Sequence, residues 1–213
     1  MVSMKDSKHL DLPKALRHLN RDNRFRSVIK GIGKPDLRHT RNAFESLVRA
    51  IVYQQISGKA AASILAKFLA AIPHRKYPTP KEVLATPMRK LRGAGLSKQK
   101  VLYIRDLAAK FDSGYITPKK FPHMSDEEIR DHLIAVKGIG RWSADMFLMF
   151  SLNRPDVLPT GDLGIQKGFQ KLFNMRKLPN AKVMEKLAKS WQPYRTVACW
   201  YLWRIVDTRT PGK

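Results

Sequence analysis

A single cysteine, Cys199, stands in 213 residues. It permits no intrachain disulfide and no cysteine-ligated zinc or iron–sulfur cluster. Acidic residues are scarce as well: 17 Asp and Glu face 41 Lys and Arg, a formal net charge of +24. No stretch has the length and apolarity of a membrane span, and the first residues lack the apolar run of a signal peptide. An intracellular, reducing setting is therefore expected. Strand-like alternation is missing too, and so are low-complexity segments and solenoid repeats. The six histidines (His9, His18, His39, His74, His123, His132) form no metal-ligand spacing, so neither a metal nor a cofactor is expected.

Against those absences stands a hydrophobic content of 43%, enough to build a core and to exclude a basic disordered tail. The cationic excess far exceeds what solubility needs and points to a polyanion, most simply nucleic acid. A membrane surface is the weaker alternative. The basic residues are scattered along the whole chain and concentrate on no single amphipathic helix.

Helical punctuation fills the chain. Short helical pieces are expected at 12–19 and 25–29, stopped by Gly31-Ile-Gly-Lys-Pro35. At 42–55, Phe44, Leu47, Val48, Ile51 and Val52 recur at helical spacing. An Ala-rich helix follows over 57–72, with Ser57 placed to cap it. Thr79-Pro-Lys-Glu82 and Ser125-Asp-Glu-Glu128 read as capping boxes, the first opening a short helix to 85 and the second one to 136. Further helices are expected at 88–92, 97–111, 163–173, 181–191 and 194–206. The fold class is all-α. One internal echo, Leu91-Arg-Gly-Ala-Gly95 beside Val136-Lys-Gly-Ile-Gly140, is read as two helix ends that resemble each other by chance.

Residues 133–162 concentrate the chemistry. Gly138-Ile139-Gly140 separates two helices with almost no room for a loop. Glycine permits positive φ there and lets the backbone approach another molecule closely. The turn's N–H groups, with the positive end of the helix beginning near Arg141, form a concavity suited to phosphate, and Lys137 and Arg141 flank it. A plain helix connection is the bland reading. The longer string Leu133-x-x-Val136-x-Gly138-Ile139-Gly140-x-Trp142-Ser143-Ala144 is far more specific, and it resembles the helix-hairpin-helix motif of DNA repair proteins. Downstream, a Pro-bounded loop delivers one carboxylate, Asp162, within Leu158-Pro-Thr-Gly-Asp-Leu-Gly164. Its bland reading is the N-cap of the next helix.

Hairpin, loop and Asp together resemble the base-excision DNA glycosylases. Val52-Tyr-Gln-Gln-Ile-Ser-Gly58, Gly138 to Ala144, Pro159-Thr-Gly-Asp162 and Ser190-Trp-Gln-Pro-Tyr-Arg195 through Trp203 are similar to the alkylpurine (3-methyladenine II type) branch, especially its small fungal members. The resemblance spans about residues 40–205. It implies one glycosylase-like unit of two helical lobes with a DNA cleft between them. One lobe is expected at about 36–118, and the other, bearing the hairpin, at 1–35 plus 119–213.

The resemblance also implies roles. Asp162 would be the catalytic carboxylate, stabilising charge at C1′ as an N-glycosidic bond breaks. Lys137, Gly138, Ile139, Gly140, Arg141 and Ser143 would hold the DNA backbone. Ile56 would be the wedge that fills the gap left by a flipped base, with Gln55 (or Gln54) beside the opposite strand. Trp142 and Trp203 would wall an electron-rich base pocket with Ser57 and Met146. Some relatives carry His at the position of Ser57, and an aromatic of the bacterial pocket corresponds to Met146. Trp142 occupies the position of the catalytic lysine of the glycosylase/lyase branch, so no Schiff base can form there. The implied activity is monofunctional excision of 3-methyladenine and 7-methylguanine by a monomer on double-stranded DNA, in the nucleus if the host is eukaryotic and otherwise in the cytoplasm. Two other readings stay open. One is a weak or inactive binder of lesions and abasic sites, and the other a general DNA-binding scaffold.

Overall fold

Helix starts in this protein are written in short polar side chains. In the computed structural model, which describes residues 10–37, 42–73 and 76–207, α1 (Leu12–Leu19) is capped by Asp11 and α2 (Asn23–Ile32) by Asp22. Asn42 caps α3 (Ala43–Tyr53) and Ser57 caps α4 (Gly58–Ala70). Thr79 and Glu82 form the expected capping box on α5 (Pro80–Ala85), and Ser125 and Glu128 form the one on α8 (Asp126–Ile134). Between them lie α6 (Met88–Gly93), α7 (Lys98–Asp112) with Ser97 as its cap, and a 3-10 turn at Pro118–His123. Then come α9 (Arg141–Phe150), α10 (Leu163–Leu172) capped by Asp162, α11 (Ala181–Leu187) capped by Asn180, and α12 (Arg195–Asp207). Each side-chain cap satisfies a backbone N–H with no intrahelical partner, a stabilisation of about 1 kcal/mol. Among the described residues there is no strand, and the fold is all-α. His9, His39 and His74 lie outside the described residues.

Two local expectations need correction. The helix expected at 25–29 runs from Asn23 to Ile32, because Asp22 caps it early and Gly33, at φ +86°, ends it late. The single helix expected over 181–191 is α11 followed by a 3-10 turn at Ala188–Trp191.

The chain divides into two compact units, residues 40–147 and residues 1–39 with 148–213. The second break therefore falls at 147/148, where 118/119 was expected, and the hairpin belongs to the middle unit. The cause is physical. The Lys137 N–H donates to Asp106 on α7 at 2.9 Å, Gln54 Nε2 donates to the Gly138 carbonyl at 2.8 Å, and Phe121 packs edge-on against Phe147. In this unit, Leu47, Val48, Ile51 and Val52 of α3 are fully buried, as are Val101, Ile104, Leu107 and Ala108 of α7. Burial of such side chains contributes about 1.5–3 kcal/mol each.

In the flanking unit α10 lies on α12. The approach is close enough that a Cβ on Gly168 would sit 2.6 Å from Leu202 Cβ. Trp191 stacks on Phe169 at 5.0 Å and meets Phe25 edge-on at 4.9 Å, and its indole N–H donates to Asp22. Tyr201 reaches the Gly33 carbonyl at 2.8 Å, which anchors α2 to α12.

Candidate functional site

In the middle unit the hairpin runs from α8 through residues 135–140 into α9. Gly138 has φ +81°, and a Cβ built on it would lie 2.1 Å from Tyr103 Cδ2, in the face of the ring. Only glycine fits, on both counts. The turn is held from three directions: Tyr103 packs against Gly138, Gln54 donates to the Gly138 carbonyl, and Asp106 accepts the Lys137 N–H. Burial pushes the Asp106 carboxyl up, but hydrogen bonds from the Lys110 ammonium and the Lys137 N–H outweigh it and hold it below its usual value.

Gly140, the residue before α9, has no side chain with which to cap that helix. The positive end of α9 is thus presented between the exposed Lys137 and Arg141. Arg141 pairs with Glu127 at 3.2 Å, and Glu127 also meets Arg130, whose Nε donates to Asp145 at 2.7 Å. Arg130 and Asp145 are buried, so this pair bolts α8 to α9. Of the backbone-contact candidates, Lys137, Gly140 and Arg141 are exposed, Gly138 is half-buried, and Ile139 and Ser143 are buried. Ile139 turns its side chain into the core, and Ser143, though buried, borders the hollow that opens beside Gln54 and Gln55.

The loop between α3 and α4 carries the expected wedge. Ile56 is 38% exposed, and Gln55 before it adopts φ +57°, a conformation that costs a non-glycine residue roughly 1 kcal/mol. Lys100 Nζ donates to the carbonyls of Val52 at 2.8 Å and Gln54 at 2.7 Å. It thereby closes the C-terminus of α3, and burial pushes its ammonium below the ordinary value. A hollow of about 550 Å3 opens here, lined among others by Gln54, Gln55, Tyr103, Trp142 and Ser143. Trp142 is 51% exposed, a large aromatic face on the first turn of α9. Ser57 is exposed, with its hydroxyl committed to the Ala60 N–H, and Met146 is half-buried.

In the flanking unit, the loop at 151–161 is pinned to the start of α12. Arg195 makes a two-pronged ion pair with Asp156 at 2.7 and 2.8 Å, and Asp156 also accepts the Arg195 N–H. Thr196 donates to the Arg154 carbonyl and accepts the Val157 N–H. The loop so held ends at Asp162. Its Oδ1 accepts the Ile165 N–H at 2.8 Å, which makes it the N-cap of α10, and the Trp203 indole N–H at 2.9 Å. Gly164 makes room for that second bond, since a Cβ there would sit 2.7 Å from Trp203 Cδ1 and 3.0 Å from Asp162 Oδ1. Phe150 packs beside the indole at 5.9 Å.

The N-cap and Gly164 were within reach of the sequence, the latter as a glycine two positions past the carboxylate. The indole donor, Lys100, Asp106, Tyr103 and Glu127 left no signal in spacing. Trp203, expected as a pocket wall, holds the carboxylate by its N–H.

A glycine-turned hairpin and, beyond a pinned loop, a single capped carboxylate define a helix-hairpin-helix DNA-repair architecture. The chain belongs to the HhH-GPD superfamily of base excision DNA repair proteins, whose profile matches residues 48–193. It is 35% identical over 198 residues to DNA-3-methyladenine glycosylase 1 of Schizosaccharomyces pombe, covering 91% of this chain and 87% of the relative. It is 34% identical over 212 residues to the alkylbase DNA glycosidase-like protein mag2 of the same yeast, covering 97% of this chain and all of mag2. Its fold is similar to the solved structure of the S. pombe 3-methyladenine DNA glycosylase in complex with abasic DNA. The TM-score is 0.79 at 34% identity, over 94% of this chain and 100% of that one.

Proposed function

We propose that this protein is a monofunctional DNA glycosylase that releases alkylated purines such as 3-methyladenine and 7-methylguanine from duplex DNA, acting as a monomer, on nuclear DNA where the host is eukaryotic. The observation that carries the proposal is the Asp162 carboxylate, aimed by the Ile165 N–H and the Trp203 indole N–H on one oxygen. As the C1′–N bond breaks, its electron pair leaves with the cationic base, which departs neutral. Positive charge then sits on the sugar, and an ionised carboxylate held nearby stabilises it and orients the water that adds at C1′, whose proton passes to the carboxylate and on to solvent. The product is an abasic site. With Trp142 in the place of an amine, no covalent lyase step follows. The hairpin of residues 137–141 grips phosphates, and Ile56 fills the stack when the base leaves it. Trp142 presents an aromatic face to the cationic base.

A second reading is favoured by one observation. The Ser57 hydroxyl, at a position where the family resemblance implies His in some relatives, is engaged as the α4 cap at 3.4 Å from the Ala60 nitrogen. A protein so altered at the wedge loop, and as similar to a glycosidase-like protein as to a glycosylase, is equally built to bind abasic or distorted DNA without rapid excision.

One experiment separates the two. Base release and binding are measured together on duplexes containing 7-methylguanine, 3-methyladenine or a tetrahydrofuran abasic analogue. Release that vanishes in Asp162→Asn supports the glycosylase. Tight abasic binding with no release leaves the binder, and equal affinity for lesion and intact DNA removes both.

A further inference from the structure

We infer that Gln54 and Lys100 are positioning residues that join the wedge loop to the hairpin, so that phosphate grip and insertion of Ile56 act as one unit. The inference rests on the proposed reading of both elements as DNA contacts.

The loop from Gln54 to Ser57 is short, bears an exposed isoleucine, and includes a residue at positive φ. Nothing in such a loop's own chemistry holds an apolar side chain outward, because the hydrophobic effect favours its collapse onto the protein. Two side chains supply what the loop lacks. Lys100 holds the loop's first carbonyl and the last turn of α3, at 2.7 and 2.8 Å. The Gln54 amide faces inward and donates to the Gly138 carbonyl at 2.8 Å, the residue whose positive φ makes the hairpin turn.

Gly138 in turn rests on the ring of Tyr103, one turn along α7 from Lys100. Lys100, the loop, Gln54, Gly138, Tyr103 and α7 thus close a circuit within the middle unit. Successive phosphates of one strand are only about 3.4 Å apart along the helix axis. A wedge free to shift by that much relative to the phosphate clamp would insert at the wrong step. The circuit removes that freedom. It also commits one of the two Gln54 amide N–H groups inward, while Gln55 is exposed beside the wedge for contact with the opposite strand.

The test is a double-mutant cycle on equilibrium binding to duplex DNA holding a tetrahydrofuran abasic analogue. Ile56→Ala, Lys137→Ala and the double variant are compared with the unaltered protein, then all four are repeated in Gln54→Met and in Lys100→Met backgrounds. The single variants are expected to weaken binding several-fold. In the unaltered background the double variant should fall short of the product of the two losses by at least about threefold, the sign of coupled sites. In both altered backgrounds the losses should multiply. A background change that merely loosened the fold would weaken all four proteins alike and leave the shortfall standing. Losses that multiply in the unaltered protein overturn the inference, and so does a shortfall that survives either Gln54→Met or Lys100→Met. If neither Ile56→Ala nor Lys137→Ala weakens binding, the reading of wedge and hairpin as DNA contacts fails first and the inference with it.

Discussion

Around the hairpin, side chains serve the backbone: Gln54 and Lys100 donate to carbonyls, and Asp106 accepts a main-chain N–H. Around Asp162 the roles are reversed, and a main-chain N–H and an indole N–H serve one side chain. The first arrangement shapes a stretch of peptide surface, flanked by Lys137 and Arg141, that can meet a repeating polyanion at several points. The second aims a single group. A surface contact of many phosphates degrades gradually as its members are removed, because each contributes a share of the affinity. Under the proposed function the carboxylate's chemistry is lost at once, because the loop's other carboxylate, Asp156, is committed to Arg195. Variants of the two regions should therefore differ in kind, with graded binding on one side and abrupt loss of turnover on the other.

The largest effect is expected at the carboxylate. Asp162→Asn should slow single-turnover base release by roughly 100- to 1000-fold while leaving abasic-DNA affinity within about twofold of the unaltered protein. Asn is as good a helix cap as Asp, so thermal unfolding should move little. Undiminished release would end the carboxylate reading. Next comes Gly138→Ala. Its Cβ would enter the Tyr103 ring at 2.1 Å and carry φ +81°, so a loss of roughly 1–3 kcal/mol in folding is expected by denaturant titration. Duplex affinity should fall about tenfold with the turn distorted. Ordinary stability and binding in this variant would show that the turn is not held as the structure has it.

The elements of the two regions are unequally legible in the sequence. The helices could be read from their caps because Ser57, Thr79, Ser97 and Ser125 act locally, three residues from their partners. The hairpin could be read because glycine does there what no other residue does, and a Gly-x-Gly between two apolar runs leaves few alternatives. Asp162 was recognisable as a cap and, through resemblance, as a catalytic candidate. Opaque were the ties that cross large sequence separations. Gln54 meets Gly138 across 84 positions, Lys137 meets Asp106 across 31, and Trp203 meets Asp162 across 41. Periodicity carries information only within one element, and these bonds exist only once helices have packed. The same limit misplaced the boundary at 118/119, since the bonds that draw the hairpin into the middle unit are of this kind.

Trp203→Phe sharpens the contrast on the carboxylate side. It keeps an aromatic ring beside Phe150 and removes the N–H that Asp162 accepts. A hydrogen bond to a charged group contributes about 1.5–3 kcal/mol, so release should slow by about tenfold or somewhat more. Affinity for intact duplex should not change, and a loss confined to binding would return Trp203 to the role of pocket wall. On the hairpin side, Asp106→Asn tests a backbone tie through acid. The Asp106 carboxyl is held below its ordinary value of 3.8, so its stabilisation is complete above that value and is lost as the pH falls through the lower folded value. The unaltered protein should therefore lose stability more steeply than Asp106→Asn as the pH falls below that ordinary value of 3.8, measured by thermal melts over a descending pH series. Parallel curves would show that the tie contributes nothing.

The smallest effect tests whether Arg141 must exchange partners to meet DNA. At rest its guanidinium pairs with Glu127 at 3.2 Å, with both side chains mostly exposed. An exposed pair of this kind contributes about 0–1 kcal/mol, and a phosphate reaching Arg141 must displace the carboxylate or share the cation with it. Glu127→Gln removes a local negative charge from the hairpin's flank and leaves Arg141 unopposed by that residue. Duplex affinity should rise by about two- to threefold at low salt, and the advantage should fade as ionic strength shortens the reach of exposed charges. Arg130 keeps its bond to Asp145, so the brace between α8 and α9 survives the change. An affinity that falls in Glu127→Gln at every salt concentration would mean that Glu127 orients Arg141 toward the phosphate, and the graded surface would then contain one contact that behaves like the aimed carboxylate.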